Sequence, residues 1–484
     1  MAIEWLVHWA MHPPGPRGHN PTYSGCGKDG ALVSDAQLVA NDAQYYYLTR
    51  SARDTDWSMW WVFDHSDGPP PAATEIVRHV LDRAGQLAPL RRRIYEVPGG
   101  FGHPFWGIDD TPIEDHLAVY ADVPLDWRGC LDRIGEILGR RLNADVSAWK
   151  LHVFPEVSGI PTRNETGSGT VVLIQVSHAL MAGPAMTSLS EALFAPAGEP
   201  VRIEGLVPAA VRPRVNLAAL VGLLRLPWQV CRFNAAVLKE NRRIARAGDD
   251  SAASPWSRGD TMLNRRTGLD RAMRTAPLDL ATVRRPGLTV TAVGLTAISR
   301  ALERYLVKRG DQCPDDLAAA VTIAVPDAEV MGVNRVGNAF VDLWPGEPEL
   351  AGRARKVDAT LRVRRTSASS VRELNRIRIF GMLPSRVYRT RFGSHREGVH
   401  AHTTLTSIKC DPTAEWSLCG RAFHFAGMLQ PVYPDIALVH SFVGVGDAFT
   451  VSVGCDPAIV ADLDDYFDIL LESFQDVSRQ VVGK

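Results

Sequence analysis

His178 follows the apolar run from Thr170 to Val176 and Ser177, and a helical pattern opens near Pro184, so it stands at a strand-to-helix junction. Imidazole titrates close to working pH, which suits it to take the proton of an attacking hydroxyl as a general base. Taken alone, a histidine in this place reads more readily as a structural residue whose nitrogens are satisfied by their neighbours. The chain offers few rivals for chemistry. It has no GxSxG elbow to present a nucleophilic serine, no Gly-rich phosphate loop of Walker spacing, and no clustered metal ligands, so no metal is expected.

The elements that must hold His178 are legible from period and punctuation. Leu131, Ile134, Ile137 and Leu138 mark a helix, and Trp149 to Phe154 alternates as a strand. Arg163 to Gly169 reads as a polar turn. Thr170 to Val176 is apolar on both faces, as a strand covered on each side would be. Met186, Leu189 and Leu193 then line one face of the helix that follows Pro184. In the second half, a helix over 290–308, strands over Ala318 to Val325 and Ala339 to Leu343, and a closing helix with Leu463, Phe467, Leu470 and Phe474 are expected. Ile436 to Val443 and Phe449 to Val453 flank Gly444, Gly446 and Asp447, a hairpin signal. The sum is a mixed α/β fold in which hairpins argue against an all-parallel sheet.

Length and composition set the frame. With 484 residues, 45% hydrophobic and 22% charged, the chain suits two globular domains. A net charge of −1 argues against bulk nucleic-acid binding. Seven scattered cysteines without a CxxC pair fit a reducing compartment, and the start lacks a secretory pattern, so a cytoplasmic protein is expected. Residues 1–34, rich in Pro, Gly and His, read as a flexible extension or a misplaced start. Domains are placed at 35–206 and 255–484, with a linker over 207–254. The linker interleaves Arg214, Arg225, Arg232 and Lys239 with Leu217, Leu220, Leu224 and Trp228. Such a helix can lie on an anionic lipid surface or simply span two domains with a solvated charged face.

Ser177, His178, Ala179, Leu180, Met181, Ala182 and Gly183 resemble the HHxxxDG signature of the bacterial wax ester synthase/diacylglycerol acyltransferase family and its condensation-domain superfamily. The second histidine and the glycine match; Ser177 and Ala182 replace the first histidine and the aspartate. Asp109 to His116, Asp145 to Val153, Gly337 with Asn338, and Ala437 to Asp456 resemble further family motifs in order along the chain. Thr291 with Ala292, Asp342 to Pro345, and Ser407 to Pro412 depart from others.

The resemblance implies two chloramphenicol-acetyltransferase-like domains joined by a helical crossover, with His178 as base at the mouth of an interdomain channel. Ser177 and Gly183 would support it, Ser177 either donating a hydrogen bond or serving as an ordinary strand-end residue. Acyl-CoA enters as substrate, no cofactor is required, and the acceptor is diacylglycerol or a long-chain alcohol. Contact with a membrane or lipid droplet stays open. In related folds the motif aspartate pairs with an arginine; here Ala182, and Thr322, Ala324 and Pro326 at the partner site, indicate that both are lost, which a folded site tolerates better than loss of one. A non-catalytic lipid-binding or regulatory relative is the alternative, and transfer to a polyketide-like or glycolipid hydroxyl a third reading. The basic stretch from Arg353 to Arg396 would either attract the phosphates of CoA or a headgroup or form a solvated surface.

Overall fold

A computed structural model describes residues 36–481 apart from 52–54, 162–165, 182, 197–211, 247–256, 326–331, 369 and 391–397. The expectation for residues 1–34 therefore lies outside the described residues, as do Ala182 and Pro326, on which the paired-loss argument rests.

Two mixed sheets organise the chain. The first runs, in spatial order, Ser417–Leu418, Arg421–Leu429, Asp56–Asp64, Thr166–Ser177, Trp149–Pro161 and Leu117–Val119, with Leu125–Asp126 also on Trp149–Pro161. The second runs Val336–Asp342, Ala318–Ala324, Thr403–Cys410, Leu438–Val445, Ala448–Cys455 and Ala272–Asp279. Thr403–Cys410 pairs in parallel with both its neighbours, and the other ladders of that sheet are antiparallel.

Strand periodicity divides the side chains between separate cores. Met59, Trp61 and Phe63, together with Val172, Ile174 and Val176, enter one core with the helices of the first half. Their alternates Trp60, Val62, Val171 and Leu173 face another, shared with Ile134, Met273, Phe425 and Val439 from both halves. A third core lies between the second sheet and helices Val290–Lys308, Leu350–Ala368 and Leu463–Gln480. Burial on both faces is what the apolar run from Thr170 to Val176 requires, although the strand starts earlier, at Thr166, taking in part of the expected turn.

Local signals fix several element ends. Asp126 caps helix Trp127–Leu138 by accepting from Gly129 N at 2.7 Å, and Thr289 caps Val290–Lys308 through Ala292 N. The hairpin closes with Val445 opposite Ala448, and Gly446 takes φ +58° in its two-residue turn.

Strand Arg421–Leu429 has no counterpart among the expected elements. It leaves the second half and pairs antiparallel with Asp56–Asp64, from Ser58 opposite Leu429 to Phe63 opposite Phe423. Gly427 faces Trp60, whose indole fills the space an added Cβ would need. The halves are also tied by Arg274, which reaches Asp132 at 3.0 Å and Asp464 at 2.5 Å.

Candidate active site

His178 lies in the turn directly after strand Thr166–Ser177. Ser177 is fixed in the ladder opposite Asp56, its N–H donates to the Ala148 carbonyl at 2.8 Å, and its own carbonyl accepts from Leu180 N at 2.8 Å. These bonds turn the chain at His178 while Ala179, Leu180 and Met181 enter the core. Helix Gly183–Phe194 then begins. A Cβ on Gly183 would come within 3.1 Å of Ile408 Cγ2, so the glycine lets this helix close on strand Thr403–Cys410 of the second sheet. Further along the same contact, the Thr187 hydroxyl lies 3.3 Å from the buried Cys410 Sγ. Ser407, at the start of the departing stretch, sits opposite Phe442 within the sheet.

The imidazole is clamped rather than free. Tyr45, on helix Ala40–Arg50, stacks on it with centroids 4.1 Å apart and planes 13° from parallel. Asn334 donates from Nδ2 to the His178 carbonyl at 2.8 Å and to Asp42 Oδ1 at 2.8 Å. Asp42 also accepts the backbone N–H groups of Val333 and Asn334, each at 3.1 Å. Gly332, at φ +70°, brings that loop in where an added Cβ would meet the Asp42 carboxylate. The loop before strand Val336–Asp342 thus grips the histidine turn through one buried amide.

Burial sets the charge states. It pushes the His178 imidazole down to about 4, so the ring is neutral at pH 7. Nδ1 is enclosed without a hydrogen-bond partner among the described residues, while the residue as a whole is half-buried. Burial raises the Asp42 carboxyl to about 6, the Asn334 and Val333 donors limiting the rise.

Asp109 and His116 are also brought together, 3.4 Å apart and both buried, with His116 stacked on Trp149 at 4.5 Å. Burial would raise the Asp109 carboxyl, but hydrogen bonds from His116 and Thr111 outweigh it and hold it low. This pair braces strand Trp149–Pro161, whose Trp149 lies opposite Val176. Ser177 is 2% exposed, and among the described residues its hydroxyl makes no bond to His178 Nδ1.

Two cavities stand out among the described residues, both away from this turn. An open groove of about 640 Å³ is lined by Glu303, Arg304, Lys308, Asp465 and Glu472, and a small crevice by Asp56, Ser58, Arg271 and Gln430. Neither is lined by His178, so neither is the channel mouth that the resemblance implies. Of the arginines in the basic stretch only Arg353 is buried among the described residues, at 1% exposed, donating to the Pro345 and Glu347 carbonyls and to Glu303; Arg362, Arg376 and Arg389 pair with Asp358, Glu373 and Glu96, and Arg355, Arg365, Arg378 and Arg386 are exposed at the surface. Arg391 and Arg396 lie outside the described residues. No metal-ligand cluster is present among the described residues.

Tyr45, Asp42 and Asn334 are not among the residues that the sequence singles out. The Asp42 and Asn334 pairing spans 292 positions and follows no motif, and the one local hint is the Gly332 turn.

Comparison with known proteins extends this description. Residues 38–290 match the wax ester synthase/diacylglycerol acyltransferase catalytic domain and residues 333–478 the WS/DGAT C-terminal domain. Proteins named "Putative diacyglycerol O-acyltransferase" from two strains of Mycobacterium tuberculosis are 25% identical over 256 residues, 51% of this chain and 52% of theirs. The chain thus spans about half the length of the curated relatives it matches. The fold resembles the wax ester synthase/diacylglycerol acyltransferase of Marinobacter aquaeolei VT8, with TM-score 0.61 and 16% identity over 92% of this chain and 99% of that one. It also resembles the starter condensation domain of rhizomide synthetase in complex with C8-CoA, with TM-score 0.51 and 12% identity over 93% and 96% of the two chains. Two domain matches in order, together covering most of the chain, establish that it belongs to the wax ester synthase/diacylglycerol acyltransferase family.

Proposed function

We propose that this protein transfers an acyl group from acyl-CoA to the hydroxyl of a lipid, diacylglycerol or a long-chain alcohol, with His178 as general base. The observation that carries the reading is a neutral imidazole held by Tyr45 and by a turn anchored from the other half of the molecule. Because Nδ1 is enclosed, Nε2 is the nitrogen that takes the proton. As that proton leaves, the hydroxyl oxygen attacks the thioester carbonyl, the C–S bond breaks, and the proton passes to the departing thiolate, giving ester and free CoA.

The fold supports the donor, since the similar condensation domain of rhizomide synthetase was solved with C8-CoA. A second reading, a relative that binds lipid without turnover, draws support from Ser177 and Ala182, which stand where the family signature has a histidine and an aspartate. Incubating purified protein with labelled acyl-CoA and a panel of diacylglycerols and alcohols separates them. Ester should form, and His178→Ala should lower the rate by about 10² to 10⁴ while leaving the circular dichroism unchanged. Undiminished turnover in the folded variant would exclude the histidine, and binding without ester would favour the second reading.

A further inference from the structure

Helix Val215–Arg246 exposes an uncommon surface. Leu220 is 54% exposed, Leu224 72% and Trp228 59%, at spacings of four that place them along one stripe. Leu217, Cys231 and Leu238 extend it, whereas Phe233, Val237 and Glu240 are buried on the opposite side. Arg225, Arg232 and Lys239, seven residues apart, run beside the apolar stripe, and the Arg232 guanidinium lies 5.2 Å from the Trp228 ring. The single acidic residue of the helix, Glu240, is buried and paired with Arg243 at 3.0 Å, so the outward surface is wholly basic in its charge. No helix among the described residues is long and apolar enough to cross a membrane.

A leucine stripe bordered by arginines matches one environment closely: apolar side chains sunk among acyl chains, guanidinium groups at the phosphates. We infer that this face of Val215–Arg246 docks the protein on an anionic lipid bilayer, lying in its plane. The inference stands apart from the chemistry at His178. It nevertheless bears on that site by position. Gly222 lets the helix pass against the Phe101 carbonyl, the nearby His103 is 3.1 Å from the Tyr47 hydroxyl, and Tyr47 shares a helix with Tyr45, which stacks on His178. The helix is thus seated, through the segment from Phe101 to His103, on the helix that carries Tyr45.

Flotation of the full chain with vesicles tests this, using phosphatidylcholine alone and phosphatidylcholine with about 30% phosphatidylglycerol, a charge density at which polybasic segments bind. Wild type should float with the anionic vesicles and much less with the neutral ones. L220D/L224D, both at exposed positions, should lose about tenfold or more in affinity, as expected from removing buried leucines from the contact. R225E/R232E should lose the preference for anionic lipid. Circular dichroism of both variants must match wild type. No flotation of wild type, or flotation unchanged in L220D/L224D, overturns the inference. So does light scattering that shows a dimer abolished by L220D/L224D without lipid binding, since the stripe would then cover a second copy of this chain.

Discussion

Asn334 is the residue whose removal separates positioning from stability most directly. Its side-chain amide joins the Asp42 carboxylate to the His178 carbonyl, so Asn334→Ala leaves a buried acid short of a donor and the histidine turn without its anchor. A cost of about 3 kcal/mol in stability is expected, since a hydrogen bond to a charged group is lost and its partner stays desolvated. Turnover should fall through kcat with KM little changed, measured on the remaining folded protein. A proportionate change in KM alone would argue that Asn334 serves substrate binding. His178 itself is legible in the sequence because a single apolar run fixes its place at a strand end. Its clamp is not, because Tyr45, Asp42 and Asn334 are polar or aromatic residues of ordinary type joined only by the tertiary fold.

At the scale of elements, the glycines report where chain segments approach most closely. An added Cβ at Gly222 would overlap the Phe101 carbonyl oxygen, a backbone atom that cannot rotate aside. Gly222→Val should therefore lift helix Val215–Arg246 from its seat at a cost of about 2 kcal/mol. Hydrogen exchange should quicken over 215–246 and not over 290–308; equal protection in both would show that the helix tolerates the side chain. Some elements can be read locally, because helix Val290–Lys308 carries its own period and cap and the terminal hairpin its own turn. Arg353 cannot: one more arginine in a basic run is indistinguishable by sequence from its neighbours, yet Glu303 and two carbonyls bury it. Strand Arg421–Leu429 is hidden for a related reason, its partner lying far upstream, with a separation of 371 between Ser58 and Leu429.

For the molecule as a whole, buried histidines make stability depend on pH. Burial pushes His152 and His178 down to about 4 and His440 to about 3. The unfolded chain takes up protons below about 6.5 while the folded one does not, so stability is greatest above that pH and falls as pH drops toward 4. A fully buried histidine such as His152 or His440 contributes a loss of roughly 2 kcal/mol by pH 5, and the half-buried His178 less. Asp42, raised to about 6, acts in the opposite sense between 6 and 3.8 but is a single group. The apparent melting temperature should drop by about 5 °C between pH 7 and pH 5. A midpoint that held steady or rose would show that these rings are not kept neutral by the fold.

The strand that returns from the second half has a consequence for synthesis. Asp56–Asp64 is made well before its partner Arg421–Leu429, with a separation of 371 between the paired Ser58 and Leu429. At about 5 to 20 residues per second, the edge bearing Trp60 waits roughly 20 to 70 s for its cover. During that interval a row of open amides and indoles is offered to any passing β-strand, and a chaperone that shields it would govern how much protein reaches the native state.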